Sequence, residues 1–290
     1  MNFEEKLKSG KFVITSEIGP PKGTNIMPHI EEAEHIKDKV DAFNVTDLQS
    51  SVMRLGSLAT SHLLIEKGLE PVFQMTCRDR NRLALQSDLL SAAVLGIRNV
   101  LILTGDHTVL GDHPDAKPVF DLDSISLLKV VSDLMKGKDM AGNELDGVPY
   151  FFPGAVVSPG YEPQELQIIK MEKKIEAGAK FFQTQAVYDL VAFEKFMEKA
   201  SKFGVPVLGG IVLLKSAGMA KFMNENVAGV NVPERYIKMM AEADKKDRPK
   251  VSIQIAAELI KGMKNLCSGI HIMPLGWEKY VPDVLDASGF

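Results

Sequence analysis

The feature that most restricts this chain is a series of short apolar runs, spaced along its whole length and separated by segments with helical periodicity. The runs are Phe12 to Ser16, Ala42 to Val45, Pro71 to Thr76, Asn99 to Thr104, Tyr150 to Val157, Lys180 to Thr184, Pro206 to Ile211 and Gly269 to Met273. They are continuously hydrophobic rather than alternating, the pattern of parallel strands covered on both faces. The intervening helical segments include Ile26 to Lys39, Leu55 to Lys67, Leu83 to Gly96, Asp123 to Lys136, Pro163 to Gly178 and Leu190 to Phe203. Eight strands alternating with helices predict a closed (β/α)8 barrel. No stretch is polar or Pro/Gly-rich enough to serve as a linker, so residues 1–290 are read as a single domain.

The phrases Leu95-Gly96-Ile97-Arg98-Asn99-Val100 and Ala177-Gly178-Ala179-Lys180-Phe181-Phe182 each close a helix on glycine before a strand begins. Glycine accepts the left-handed cap such a turn needs. Two segments depart from the repeat. Residues Gly137 to Pro149, rich in glycine and charge, are expected to form a surface loop. Pro233 to Lys264 is expected to form a long helical stretch before the last strand.

A formal charge of -4 and a pI near 5.9 provide no basic field for a nucleic acid. No apolar run reaches the roughly 20 residues needed to span a bilayer. The opening Met-Asn-Phe-Glu-Glu-Lys lacks the basic and apolar regions of a signal peptide, so a cytoplasmic location is expected. Cys77 and Cys267 stand alone, outside any Cys-x-x-Cys pattern, and encode neither a disulfide framework nor a cluster site. Any iron-sulfur chemistry would belong to a partner.

In a barrel of this kind, chemistry collects where strands end. The runs lead into Thr15-Ser16-Glu17-Ile18-Gly19-Pro20-Pro21, Asn44-Val45-Thr46-Asp47, Gln74-Met75-Thr76-Cys77, Thr104-Gly105-Asp106, Ser158-Pro159 and Gln183-Thr184-Gln185. Glu17 alone could cap a turn or pair with a lysine. Together with Asp106 it forms a pair of carboxylates, one suited to act as an acid and the other to remain ionised, as acid-assisted redox chemistry requires. Gly105-Asp106-His107 and Gly111-Asp112-His113 lack the spacing of a metal-binding pair; no metal is predicted, and a mobile glycine-hinged loop over the ligand is the simpler reading. Neither Gly-x-Gly-x-x-Gly nor a P-loop occurs, so any nucleotide must use the barrel itself. Leu208-Gly209-Gly210-Ile211 could bring backbone close to a ligand or could ease packing.

Glu17-Ile18-Gly19-Pro20-Pro21, Met75-Thr76-Cys77, Leu103-Thr104-Gly105-Asp106, Ala177-Gly178-Ala179 and Thr184-Gln185 resemble, in order and spacing, the methylenetetrahydrofolate reductases. The resemblance covers nearly the whole chain. His271-Ile272-Met273-Pro274-Leu275-Gly276-Trp277-Glu278 resembles the acetogen-type members that work with partner subunits. The resemblance implies a barrel that binds FAD, or FMN, and then methylenetetrahydrofolate at the same face, with ping-pong kinetics and 5-methyltetrahydrofolate as product. It assigns Glu17 as general acid and Asp106 as the aspartate touching both flavin and pterin. Gln185 is implied as the folate-binding glutamine. Thr46, Gln74, Thr104, Gly105, Ser158 and Lys174 fall at flavin-contact positions, with Lys174 the cation suited to the phosphates.

Several positions depart from the family pattern. Gln74 and Thr104 replace a histidine and an arginine, and Gln167 stands where an aspartate often contacts the flavin ribose. The segment Val212 to Ala217 lacks the aromatic residue that stacks on nicotinamide in some members. An iron-sulfur partner subunit is therefore the expected donor, with NAD(P)H the alternative, and an oligomer or heteromer is expected. Two other classes compete: a flavin- or folate-binding scaffold subunit of a redox complex, and a pterin-dependent methyltransferase barrel.

Overall fold

The computed structural model describes residues 1–290. Eight parallel strands close a barrel in sequence order: β1 (Val13–Ile18), β2 (Ala42–Val45), β3 (Pro71–Thr76), β4 (Asn99–Leu103), β5 (Phe152–Val157), β6 (Phe181–Ala186), β7 (Val207–Val212) and β8 (Gly269–Met273). β1 pairs with both β2 and β8, which completes the ring. The single irregularity in the ladder lies between Gln183 and Ala186 where β6 meets β7. It sits where β6 presents its polar end.

The helices are α1 (Phe3–Lys8), α2 (Met27–Ile36), α3 (Ser57–Glu66), α4 (Arg82–Val94), α5 (Ser124–Leu134), α6 (Gln164–Ala177), α7 (Leu190–Ala200), α8 (Ala217–Asn226), α9 (Glu234–Glu242), α10 (Arg248–Met263) and α11 (Val281–Ser288). The helix that follows β4 shows why these segments form. Asp123 caps α5 by accepting from the Ser126 N–H at 2.7 Å, and Leu127, Leu128, Val131 and Leu134 recur at helical spacing on its buried face. None of the helices is long and apolar enough to cross a membrane.

Inside the barrel, residues of one parity along each strand build layers. The lowest layer is apolar: Val13, Ala42, Val72, Leu101, Phe152, Phe181 and Leu208 come from seven strands. The eighth strand supplies Gly269, where a Cβ would collide with the Val13 carbonyl. α1 closes this end from below. Its Phe3 ring meets Phe152 at 6.1 Å and Phe181 at 5.2 Å, both edge to face. Phe3 is fully buried, which contributes roughly 2–3 kcal/mol. Glu70 fixes the helix start by accepting the Phe3 N–H at 2.9 Å.

Several boundaries differ from the sequence-based expectation. β1 continues through Ile18 and β6 through Ala186, so Glu17 and Gln185 lie within strands rather than after them. The stretch Pro233 to Lys264 is two helices, α9 and α10, separated at Ala243, whose backbone is extended. Pro249 explains the restart: it lacks an N–H and can occupy only the first turn of α10. Residues 137–149 form the expected loop, pinned by an antiparallel bridge between Lys138 and Glu144.

Candidate active site

At the carboxyl ends of the strands the barrel opens into a cavity of about 520 Å³. Its wall includes Glu17, Thr46, Gln74, Thr104, Gly105, Asp106, Ser158, Lys174 and Gln185, the nine residues singled out by sequence. They reach it from five strands or their ends, from the loop after β4 and from α6. The two carboxylates stand in different surroundings. Glu17 is 8% exposed, while Asp106 is exposed on its loop and its carboxylate has no protein partner.

A buried polar chain lies beneath Glu17, directly above the apolar layer. Asn44 Nδ2 donates to Gln183 Oε1 at 2.7 Å, and Gln183 Nε2 donates to Asn44 Oδ1 at 3.0 Å and to Thr15 Oγ1 at 3.4 Å. The Thr15 hydroxyl and His271 Nδ1 are also hydrogen-bonded, at 2.9 Å. His271 Nε2 faces Glu17 Oε1 at 3.5 Å, and on the other side Gln49 Nε2 donates to Glu17 Oε2 at 3.3 Å. Glu17 thus lies between the His271 imidazole and the Gln49 amide.

The Asp106 loop is fastened from below by Arg78, whose side chain is almost fully buried. Arg78 donates to the Asp106 carbonyl at 3.1 Å and to the Leu48 carbonyl at 3.2 Å, and pairs with Asp79 at 2.8 Å. Gly105 has φ +90° and lies against Thr76 and Arg78, where a Cβ would press on both side chains. Leu48, Ser50 and Ser51 are also left-handed, with φ of 48°, 55° and 60°, a strained run held in place by these contacts. Gly111 corrects the expectation of a hinge: its φ of -97° is ordinary, and it is glycine because a Cβ would strike the Ser51 carbonyl. Asp112 secures the same junction, binding Lys22, the Met53 N–H at 3.0 Å and His113 at 2.9 Å. The loop described by sequence as mobile is tied to the segment after β2.

Other expectations resolve locally. Asp47 ends β2 as a structural tie, pairing with Arg80 and accepting from the Thr76 N–H at 2.8 Å and hydroxyl at 2.9 Å. Gly209 and Gly210 ease packing: side chains there would meet Met263 and the Thr184 carbonyl respectively. Gln167 accepts from the Ser158 N–H at 3.3 Å. Burial pushes the Cys77 thiol up to about 12, which removes it as a nucleophile.

Two features of the wall suit a large polar ligand. The Thr46 hydroxyl is buried yet has no hydrogen-bond partner in the protein. Lys174 Nζ donates to the Val156 carbonyl at 2.7 Å, and burial, then Lys170, holds its amine down to about 8, with Asp123 opposing. A cation kept at such a depth favours an anion.

Sequence reasoning did not single out Thr15, Asn44, Gln183 or Arg78, and quoted His271 only within a resembling phrase. Parity along the strands was the available signal. Thr15 and Glu17, or Gly269, His271 and Met273, share a face, so one inward residue identifies the others.

The profile of the methylenetetrahydrofolate reductase family matches residues 2–289. "Methylenetetrahydrofolate reductase 2" of Schizosaccharomyces pombe is 25% identical over 98% of this chain and 46% of its own length. The "5,10-methylenetetrahydrofolate reductase" of Pectobacterium carotovorum is 27% identical over 67% of this chain and 61% of its own. The chain therefore spans about half to three fifths of the length of these two relatives. Among solved structures, an uncharacterised Clostridium thermocellum protein described as binding two copies of 5-methyl-5,6,7,8-tetrahydrofolic acid superposes with a TM-score of 0.64 at 18% identity. The match covers 98% of this chain and 95% of that one, and supports the fold.

Proposed function

The chain belongs to the methylenetetrahydrofolate reductase family, and from that premise we propose that its barrel mouth reduces 5,10-methylenetetrahydrofolate to 5-methyltetrahydrofolate with a bound flavin. The observation that carries this reading is the meeting of Glu17, Asp106 and Gln185 with Lys174 and the unpartnered Thr46 hydroxyl on one cavity. The residues fit a flavin: Lys174 would hold its phosphates, and Thr46, Gln74, Thr104, Gly105 and Ser158 would line its polar edges. When bound, the flavin supplies the two electrons and the hydrogen that the methylene carbon takes up. FAD is the form this reading favours, with FMN the alternative.

Glu17, as the acid, gives its proton to N10 of the folate while the bond from the methylene carbon to N10 breaks and its electron pair remains on nitrogen. The His271 ring and the half-buried Gln49 amide, one on each side, orient the carboxyl for that transfer. Asp106, whose side chain has no protein partner, stabilises the positive charge that develops on the opened ring. Gln185 turns its Oε1 back to the Ala186 N–H at 3.1 Å, leaving its amide hydrogens for the folate. Because the flavin would be reduced before it passes hydride to the folate, the kinetics expected on this reading are ping-pong.

Electrons reach the site, on this reading, from an iron-sulfur partner chain, as in acetogen-type members. The segment after β7 supports this, since Lys215 is bound to the Leu275 carbonyl and lies 5.8 Å from the Trp277 ring centroid, with no aromatic ring between Val212 and Ala217 to stack on a nicotinamide. The test is direct. Purified protein should be yellow, and after reduction with dithionite its flavin should be reoxidised by methylenetetrahydrofolate with one methyltetrahydrofolate formed per flavin. A colourless protein that cannot be loaded with flavin would end this reading.

A further inference from the structure

Glu17 and Gln49 line two cavities at once. Besides the mouth, they border a crevice of about 370 Å³ that opens to the side, between the turn after β1 and the loop after β8. The charged groups facing this crevice are His29 and Glu32 from α2, Arg54 from the segment before α3 and Glu278 from the turn before α11; Leu275 is its one apolar contributor besides Pro28. His29 Nδ1 and Arg54 Nε are buried and have no protein partner, as polar atoms served by water would be. Partial burial, then Glu278, raises the Glu32 carboxyl above its ordinary range, with His29 opposing.

An acid that gives up a proton in every turnover must regain one, and the three directions around Glu17 are unequal. Below it, the polar chain ends on the sealed apolar layer of Phe3, Phe152 and Phe181. Above it, flavin and folate would cover the mouth. The side crevice alone remains polar and open.

We propose that this crevice is the proton-uptake route that recharges Glu17 while ligands occupy the mouth; it rests on the reading of Glu17 as the acid. After Glu17 has protonated N10, it is a carboxylate. Water in the crevice delivers a solvent proton to it, with Glu32, His29 and Glu278 as exchanging groups and Gln49 holding Oε2 at the crevice wall. No electrons move in this step.

The test compares flavin-loaded wild type with an E32L/E278Q double variant. Glu32 is exposed, and glutamine at 278 can keep the bond to the Gly276 N–H, so both changes leave the fold intact. After dithionite reduction, the first reoxidation by methylenetetrahydrofolate should match wild type because the acid is already loaded. Proton uptake, followed with an indicator dye, and repeated turnover should slow about tenfold and recover with added imidazole. A second readout needs no turnover: deuterium exchange into the Glu17 carboxyl, followed by infrared with 5-methyltetrahydrofolate closing the mouth, should slow in the variant alone. E32Q as a single change should give a smaller effect in the same direction. Uptake, turnover and exchange all at wild-type rates in the double variant would overturn the route. An E17Q enzyme reoxidised as fast as wild type would instead overturn the acid assignment, so the two failures are distinguishable.

Discussion

The floor and the mouth of this barrel are built from the same strands, two to six residues apart, yet obey opposite rules. At the floor, Val13, Val72, Phe152 and Phe181 belong to one buried cluster of apolar side chains. At the mouth, Glu17, Thr46 and Asp106 are either held by long contacts or have no side-chain partner. The floor is arranged for stability and the mouth for a ligand, and the chain changes from one role to the other within a single strand. In β1 the change falls between Val13 and Thr15.

The sharpest test of that division is Glu17→Gln. Proton donation in the folate half-reaction should fall by about 10²–10⁴, while flavin binding, flavin reduction and the melting temperature stay near wild type. Stopped-flow reoxidation and calorimetry read the two sides, and a large loss of Tm would show that Glu17 belongs with the stability residues. The converse is Phe181→Ala. Emptying the stack with Phe152 at 5.2 Å should cost about 3–5 kcal/mol of folding free energy in urea titration, with flavin affinity of the folded protein unchanged.

Asp47 blurs the boundary, since it lines the mouth but is bonded like a floor residue. Asp47→Ala should cost about 3 kcal/mol by leaving Arg80 without its buried partner, and should change kcat less than it changes Tm. If kcat falls with no change in stability, Asp47 acts on the ligand. Lys174→Met should give the smallest effect, weakening flavin binding about tenfold at pH 7. Because the amine loses its proton above about 8, wild-type affinity for a phosphate-bearing flavin should decline as pH rises past that point, and the variant should be flat in titration calorimetry. The linkage also has a sign in the free protein. The folded lysine titrates below its unfolded value of 10.5, so between about 8 and 10.5 the unfolded chain holds the extra proton and stability rises with pH, a rise absent from the variant.

The barrel was legible because buried parallel strands must be apolar along their whole length, and Ala42–Val45, Pro71–Thr76 and Gly269–Met273 are recovered to the residue. Strand-end polarity likewise led to eight of the nine wall residues, and the family resemblance to the ninth, Lys174 on α6. What stayed hidden depends on contacts distant in sequence. Arg78 reads as an ordinary charged residue until its guanidinium is seen bridging the loops after β2 and β4. Thr15 and His271 are 256 residues apart, so no local pattern could join them. α1 was missed for a similar reason, since its six residues are too short for periodicity to register and the aromatic partners of Phe3 lie beyond residue 150.

That distance also governs how the molecule assembles. Phe3 is made early, but the rings that enclose it, Phe152 and Phe181, emerge from the ribosome roughly 150 and 180 residues later. At ordinary rates of about 5–20 residues per second, the small helix waits many seconds with its apolar side uncovered. Contacts so remote in sequence form late in folding because the intervening chain must first be ordered. α1 would therefore act as a late latch: the Phe3 ring gains its two aromatic neighbours only once the fifth and sixth strands are in place, and a chain that stalls earlier would leave that apolar face uncovered.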